Sequence, residues 1–98
     1  MRVEYRDDVL RRLADDAHYA PEAWRREEIE SYRKRLQLIL AAKDERDLYA
    51  VRVMHPDQRG SDRRSRSTSR LSSGLRLLLT FKSDGDDNTA ILELERLP

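Results

Sequence analysis

Seven arginines fall between residues 48 and 76: Arg52, Arg59, Arg63, Arg64, Arg66, Arg70 and Arg76. Asp57 and Asp62 are the acids of that stretch, so it carries about +5. Every base in it is Arg, none Lys. A guanidinium presents a planar fork of donors that fits phosphate in a bidentate way, whereas an ammonium is a point charge. A concentrated Arg surface suits a localised anionic partner, nucleic acid above others; the competing reading is a solvated Arg/Ser loop. His55 lies in the same stretch. Its side-chain type titrates near neutrality, which makes it the candidate for proton transfer beside the arginines, against the plainer reading of an ordinary loop histidine.

Other chemistries find little support. The 98 residues contain no cysteine, which excludes a disulfide scaffold, a zinc–cysteine cluster and a cysteine nucleophile. His18 and His55 are far apart and in no ligand motif, so no metal is expected. Gly60, Gly74 and Gly85 are scattered, which argues against a phosphate-cradling glycine loop, and no cofactor is expected. The serines from 61 to 73 have no His–Asp arrangement to activate them. Asp7, Asp8, Asp15 and Asp16 read as helix-start and surface charges, and Trp24 as a helix-packing residue.

The frame that must position the arginines is small. The whole chain carries a net charge of +1, which argues against a uniformly basic protein. Residues 1–47 sum to about −1 and residues 77–98 to about −3, so the positive charge is local to the middle. No apolar run approaches the roughly 18 residues of a membrane helix, and no signal-peptide stretch follows the first residues. The expectation is one cytoplasmic domain over residues 1–98, with no membrane partner.

Alternation at Val3 and Tyr5 suggests a first strand over 2–5. Val9, Leu10, Leu13 and Ala14 predict a helix over 7–17, with Asp7 and Asp8 at its start. Ile29, Tyr32, Leu36 and Ile39 form an apolar stripe on a helix over 21–43, with Pro21 in its first turn. The run Leu48–Met54 reads as a strand, residues 55–65 as a loop. Strands are predicted over 66–71, 75–82 and 89–94, with turns at Ser72-Ser73-Gly74 and around Asp84-Gly85. If Arg70 pairs with Arg76 and Leu71 with Leu75, parity sends Leu75, Leu77, Leu79 and Phe81 to the core. Arg66, Thr68, Arg70, Arg76, Leu78, Thr80 and Lys82 then share the other face. Ala90, Leu92 and Leu94 face inward. The order predicts an α+β domain, an N-terminal strand and helical hairpin packed on a mostly antiparallel sheet.

The stretch Arg46-Asp47-Leu48-Tyr49-Ala50-Val51-Arg52, followed by Asp62-Arg63, Ser69-Arg70-Leu71 and Leu75-Arg76-Leu77, resembles the RelE/ParE superfamily of type II toxins. The nearest branch is the HigB-like plasmid maintenance killer toxins. The resemblance implies a RelE-like sheet with a helical hairpin, a cognate helix-turn-helix antitoxin, and ribosome-dependent cleavage of mRNA. It also implies site residues. Arg63, Arg70 and Arg76 would orient and neutralise the phosphate, with His55 for proton transfer. Arg52, Arg59, Arg64, Arg66 and Lys82 would hold RNA.

Three departures from the family pattern stand out. Ser61-Asp62-Arg63 replaces Gly-Asp-Arg, Ser72-Ser73-Gly74-Leu75 replaces Asn-Asp-Gln-Trp, and Arg96-Leu97-Pro98 replaces a terminal Asp-Tyr-His. The last two remove groups that position RNA and move protons. Three readings therefore stay open: an mRNA interferase, weakened by its C-terminus; a toxin-fold protein that binds a protein target, as the gyrase-binding branch does; and a non-catalytic relative that binds an antitoxin or RNA.

Overall fold

The protein is described from a computed structural model over residues 1–49, 55–56, 66–85 and 87–97. The elements run β1 (Arg2–Tyr5), α1 (Asp8–Asp15), α2 (Arg26–Ala41), α3 (Glu45–Tyr49), β2 (His55–Pro56), β3 (Arg66–Ser72), β4 (Leu75–Asp84) and β5 (Asp87–Arg96). The strands form a five-stranded sheet in the order β1-β5-β4-β3-β2. β1 runs parallel to β5 and the other pairings are antiparallel. This is the expected α+β architecture with a mostly antiparallel sheet.

α1 opens where Asp7 Oδ1 accepts the Val9 N–H at 2.8 Å, satisfying a donor that the first turn leaves free. It ends under Arg33 of α2. That guanidinium donates to the carbonyls of Leu13 (3.2 Å), Asp16 (3.0 Å) and Tyr19 (3.2 Å), placing a cation where the helix dipole is negative. α2 begins at Arg26, later than its sequence pattern suggests. Pro21 lies in a turn closed by the Trp24 N–H on the Pro21 carbonyl (3.1 Å), and the start of α2 is fixed by Glu28 Oε1 accepting the Arg25 N–H at 2.8 Å. The far end of α2 is met by the Met1 amino group, which donates to the carbonyls of Leu40 and Ala42.

The expected strand over 48–54 gives way at its start to a short helix. Asp44 Oδ1 accepts from the N–H groups of Arg46 and Asp47, and Asp47 Oδ2 accepts from that of Lys43. This reciprocal cap forms locally, and Leu48 then drops into the core as a helical residue. Residues 50–54 lie outside the described residues. His55 and Pro56, expected in a loop, instead pair with Thr68 and Ser67 as the edge strand β2. A residue before proline favours extended backbone, and an edge strand tolerates the missing N–H of Pro56.

One face of the sheet packs on the helices. Leu75, Leu77, Leu79 and Phe81 of β4 and Ala90 and Leu92 of β5 are buried together with Leu10, Leu13, Ile29, Tyr32, Leu36, Ile39 and Leu48. The stripe read from α2 and the inward set read from β4 are both borne out. Trp24 is also buried and meets Tyr32 edge to face, ring centroids 5.9 Å apart, as a packing residue. Arg70 pairs with Arg76 as expected, but the register then shifts so that Ser72, not Leu71, opposes Leu75. The extra residue is Leu71, buried by ordinary alternation after Arg70, and the irregularity turns Ser72 to the helix side as well. At the other hairpin Asp84 pairs with Asp87, and Gly85 takes φ +63°, a conformation that favours glycine.

Tyr32 ties the two long helices together. It is fully buried and its hydroxyl donates to the Leu10 carbonyl at 2.9 Å. Burial pushes its pKa well above the ordinary tyrosine value, and the negative charges that Tyr5, Asp15 and Asp7 can carry add to this. The folded state therefore holds this proton where the unfolded chain loses it, and stability falls as pH rises past about 10. Tyr32→Phe should lower stability by about 1 kcal/mol at pH 7. In return it should remove an alkaline loss of up to about 1.4 kcal/mol per pH unit. Urea unfolding of both proteins at pH 7 and above pH 10 measures this, and equal alkaline slopes would exclude it.

Candidate nucleic-acid interface

Because β4 alternates strictly, the face turned away from the helices is fixed by register. Its rows can be read across the sheet. The first is Arg70, Arg76 and Glu95; the second is His55, Thr68, Leu78 and Glu93. The third is Arg66, Thr80, Ile91 and Glu4, and the fourth is Lys82, Thr89 and Arg2. The predicted grouping of Arg66, Thr68, Arg70, Arg76, Leu78, Thr80 and Lys82 on one face thus matches the backbone register. Successive rows are roughly 7 Å apart along a strand.

Arg70 is exposed beside Arg76 on the neighbouring strand. Two guanidinium groups directly opposite one another repel, unless an anion sits between or beside them. Arg76 already has one such neighbour: its Nη2 donates to Glu95 Oε1 at 3.2 Å, and its side chain is only 22 % exposed. Its Nε is buried and has no hydrogen-bond partner among the described residues. Lys82 reaches Glu4 at 3.6 Å, and Arg6 reaches Glu93 at 3.8 Å, both as exposed pairs that contribute little to stability. The outward face is therefore graded. Among the described residues, the acids Glu93 and Glu95 occupy β5 and the exposed Arg70 stands on β3. Ile91 is 2 % exposed although it faces away from the helices.

His55 occupies the row next to Arg70 and Arg76, on the edge strand. Arg66 occupies a row further along, at the start of β3. Arg52, Arg59, Arg63 and Arg64 lie outside the described residues. No group of three or more potential ligating side chains suited to a metal occurs among the described residues.

Glu93 and Glu95 were missed in reading the sequence as a site. The signal was available: the tight turn at Gly85 sets the β4–β5 register, and counting back from it brings Glu95 opposite Arg76. A second omission is the support behind the site. Ser69 faces the helices, where its Oγ accepts from Arg35 Nε at 3.1 Å. Ser72 Oγ donates to Glu28 Oε2 at 2.6 Å and accepts from the Gly74 N–H at 3.3 Å. These bonds anchor β3 on α2 on both sides of Arg70.

Glu28 is buried, and its pKa is held below the usual carboxylate range. The Ser72 hydroxyl is the main cause, followed by the Arg25 N–H, with the charges of Arg96 and Arg25 helping and burial opposing. A depressed folded pKa stabilises the protein above the unfolded carboxylate value. That stability is lost as pH falls through the lower, folded one. Glu28→Gln should therefore flatten the acid limb of the stability profile below about pH 4.5 while leaving the neutral-to-alkaline profile parallel to wild type. Thermal unfolding between pH 2 and 7 checks this; an unchanged acid limb would show that Glu28 is not the coupled group.

No protein-family model matches this chain, and no curated protein matches it.

Proposed function

We propose that the protein is a type II toxin of the RelE/ParE kind, closest to the HigB-like branch, whose outward sheet face binds RNA on the ribosome. The observation that carries this reading is the Arg70–Arg76 row. Both arginines stand on the sheet face opposite the helices, next to the row of His55, in the part of the chain that resembles the family. The cognate antitoxin would be a small helix-turn-helix protein whose acidic segment covers this face.

On this reading, cleavage is an in-line attack of a ribose 2′-oxygen on the adjacent phosphorus, with the 5′-oxygen leaving. The reaction needs a phosphate held in place, charge neutralised on its oxygens, and two proton transfers. Arg70 is exposed and can bind a phosphate oxygen bidentately. Arg76 can add its buried Nε–H if it swings from Glu95. The proton transfers are the weak part. Arg96 and Leu97, which stand where the family pattern has Asp and Tyr, accept no proton at neutral pH, and Glu95 is engaged by Arg76. Loss of one general acid or base typically slows a reaction by about a hundred- to ten-thousand-fold. This favours RNA binding with inefficient cleavage over fast turnover.

Regulated expression in a host without the neighbouring gene, with mapping of mRNA ends, tests the proposal. Weak growth arrest with cut messages is expected. Arg70→Ala combined with Arg76→Ala should abolish it, with thermal unfolding used to verify that the variant is folded because Arg76 is largely buried and paired with Glu95. Arg70→Ala alone, at an exposed position, should weaken it with little change in stability. Growth arrest with DNA damage and intact messages would instead favour a protein target. Full toxicity in the folded double variant would remove both arginines from the site.

A further inference from the structure

The end of the sheet at the β3–β4 hairpin has a second basic feature, on the helix side. An open cavity of about 340 Å³ lies between the segment before α2 and the hairpin, lined by Ala23, Arg25, Glu28, Ser72, Gly74 and Arg96. Arg96 ends β5 opposite Leu75, so register turns it to the helix side, away from Glu95. Its Nη2 donates to the Ala23 carbonyl at 3.3 Å, which stretches the side chain along the cavity. The floor is closed by the Leu97 N–H on the Gly74 carbonyl at 2.9 Å.

Among the described residues, neither Arg25 nor Arg96 has a carboxylate within ion-pairing distance. Glu28 sits in the same cavity, but its two oxygens are already taken, one by the Arg25 N–H and one by the Ser72 hydroxyl. Two guanidinium groups against one carboxylate leave the cavity net positive, with donors to spare: a guanidinium has five N–H groups, and Arg96 uses one here. The cavity is polar and open, and Arg25 and Arg96 both line it. That suits a tetrahedral oxyanion better than an apolar ligand.

Its place matters as much as its charge. Ser72 and Gly74 follow Arg70 and precede Arg76 within the same hairpin. The cavity and the Arg70–Arg76 row are thus on opposite faces of one sheet end, separated by the thickness of the strand and roughly 7 Å along it. A flexible single strand can pass over that end and present successive phosphates to both. We propose that this cavity is an anion subsite that takes a backbone phosphate of a nucleic-acid strand, continuing around the hairpin the track that Arg70 and Arg76 begin. The inference rests on the nucleic-acid reading above and adds to it a position and two residues, Arg25 and Arg96.

Binding of a single-stranded RNA oligonucleotide at several salt concentrations tests it, beside amide chemical shifts during titration with inorganic phosphate. Arg25→Ala with Arg96→Ala should weaken RNA binding roughly tenfold and lower the salt slope by about 0.7 for the lost phosphate. Phosphate should shift the Ser73 and Gly74 amides of the wild type and not of this variant. Glu28→Gln removes the negative charge and should tighten RNA binding severalfold, an outcome opposite in sign to simple damage. Unchanged affinity and slope in the double Arg variant, with Arg70→Ala still weakening binding, would overturn the subsite and leave the nucleic-acid reading intact. Amide shifts with phosphate but no RNA affinity in the wild type would overturn the strand and identify a free-anion site.

Discussion

Everything on the outward face depends on the parity of one strand. β4 is hydrogen-bonded on both sides, and Leu75, Leu77, Leu79 and Phe81 must all be buried against α1 and α2. Each inward leucine contributes about 2 kcal/mol or more of burial. A slip of one residue would expose the whole set and bury Arg76 and Lys82 in its place. The arginines are therefore presented outward not by contacts of their own but by the burial of their neighbours. The same constraint fixes what lies next to them. Once β4 is set and Gly85 turns the chain, Glu95 must come opposite Arg76 and Glu93 opposite Leu78.

That arrangement makes the charge pattern directional. The acids Glu93 and Glu95 of β5 hold the near side of the face close to neutrality, and the exposed Arg70 of β3 stands beyond. A protein with a net charge of +1 can in this way attract a polyanion to one edge without the broad, non-specific affinity of a basic protein. The helices contribute from behind. Arg35 and Glu28 hold Ser69 and Ser72, so the strand segment that carries Arg70 is anchored before and after it.

Much of this was legible in the residues, and the reasons are local. The stripe Ile29, Tyr32, Leu36 and Ile39 and the alternation from Leu75 to Phe81 are strong periodic signals, and both were right. Leu48 and Tyr49 misled because β-rich composition is a weak, context-dependent preference, while the reciprocal Asp44–Asp47 cap settles the issue through hydrogen bonds. The β-bulge at Leu71 was not legible: beside it Ser72 meets Glu28, which is 44 residues away in sequence. The Arg25–Arg96 cavity is hidden for the same reason: its two cations are distant in sequence and meet only through the sheet.

The pairing of β1 with β5 carries a consequence for how the molecule is made. Arg2 lies opposite Thr89, so β1 finds its partner only after α1, α2 and the β3–β4 hairpin between them have been synthesised. Closing a loop of that length costs about 4 kcal/mol of chain entropy. β5 cannot be nucleated by β1; it must form on β4, whose tight turn makes that pairing local. During synthesis α1 and α2 therefore leave the ribosome before the strands that cover them, and the sheet grows from the local β3–β4 and β4–β5 hairpins before β1 closes onto it. The apolar stripes of α1 and α2 stay uncovered until that sheet is in place.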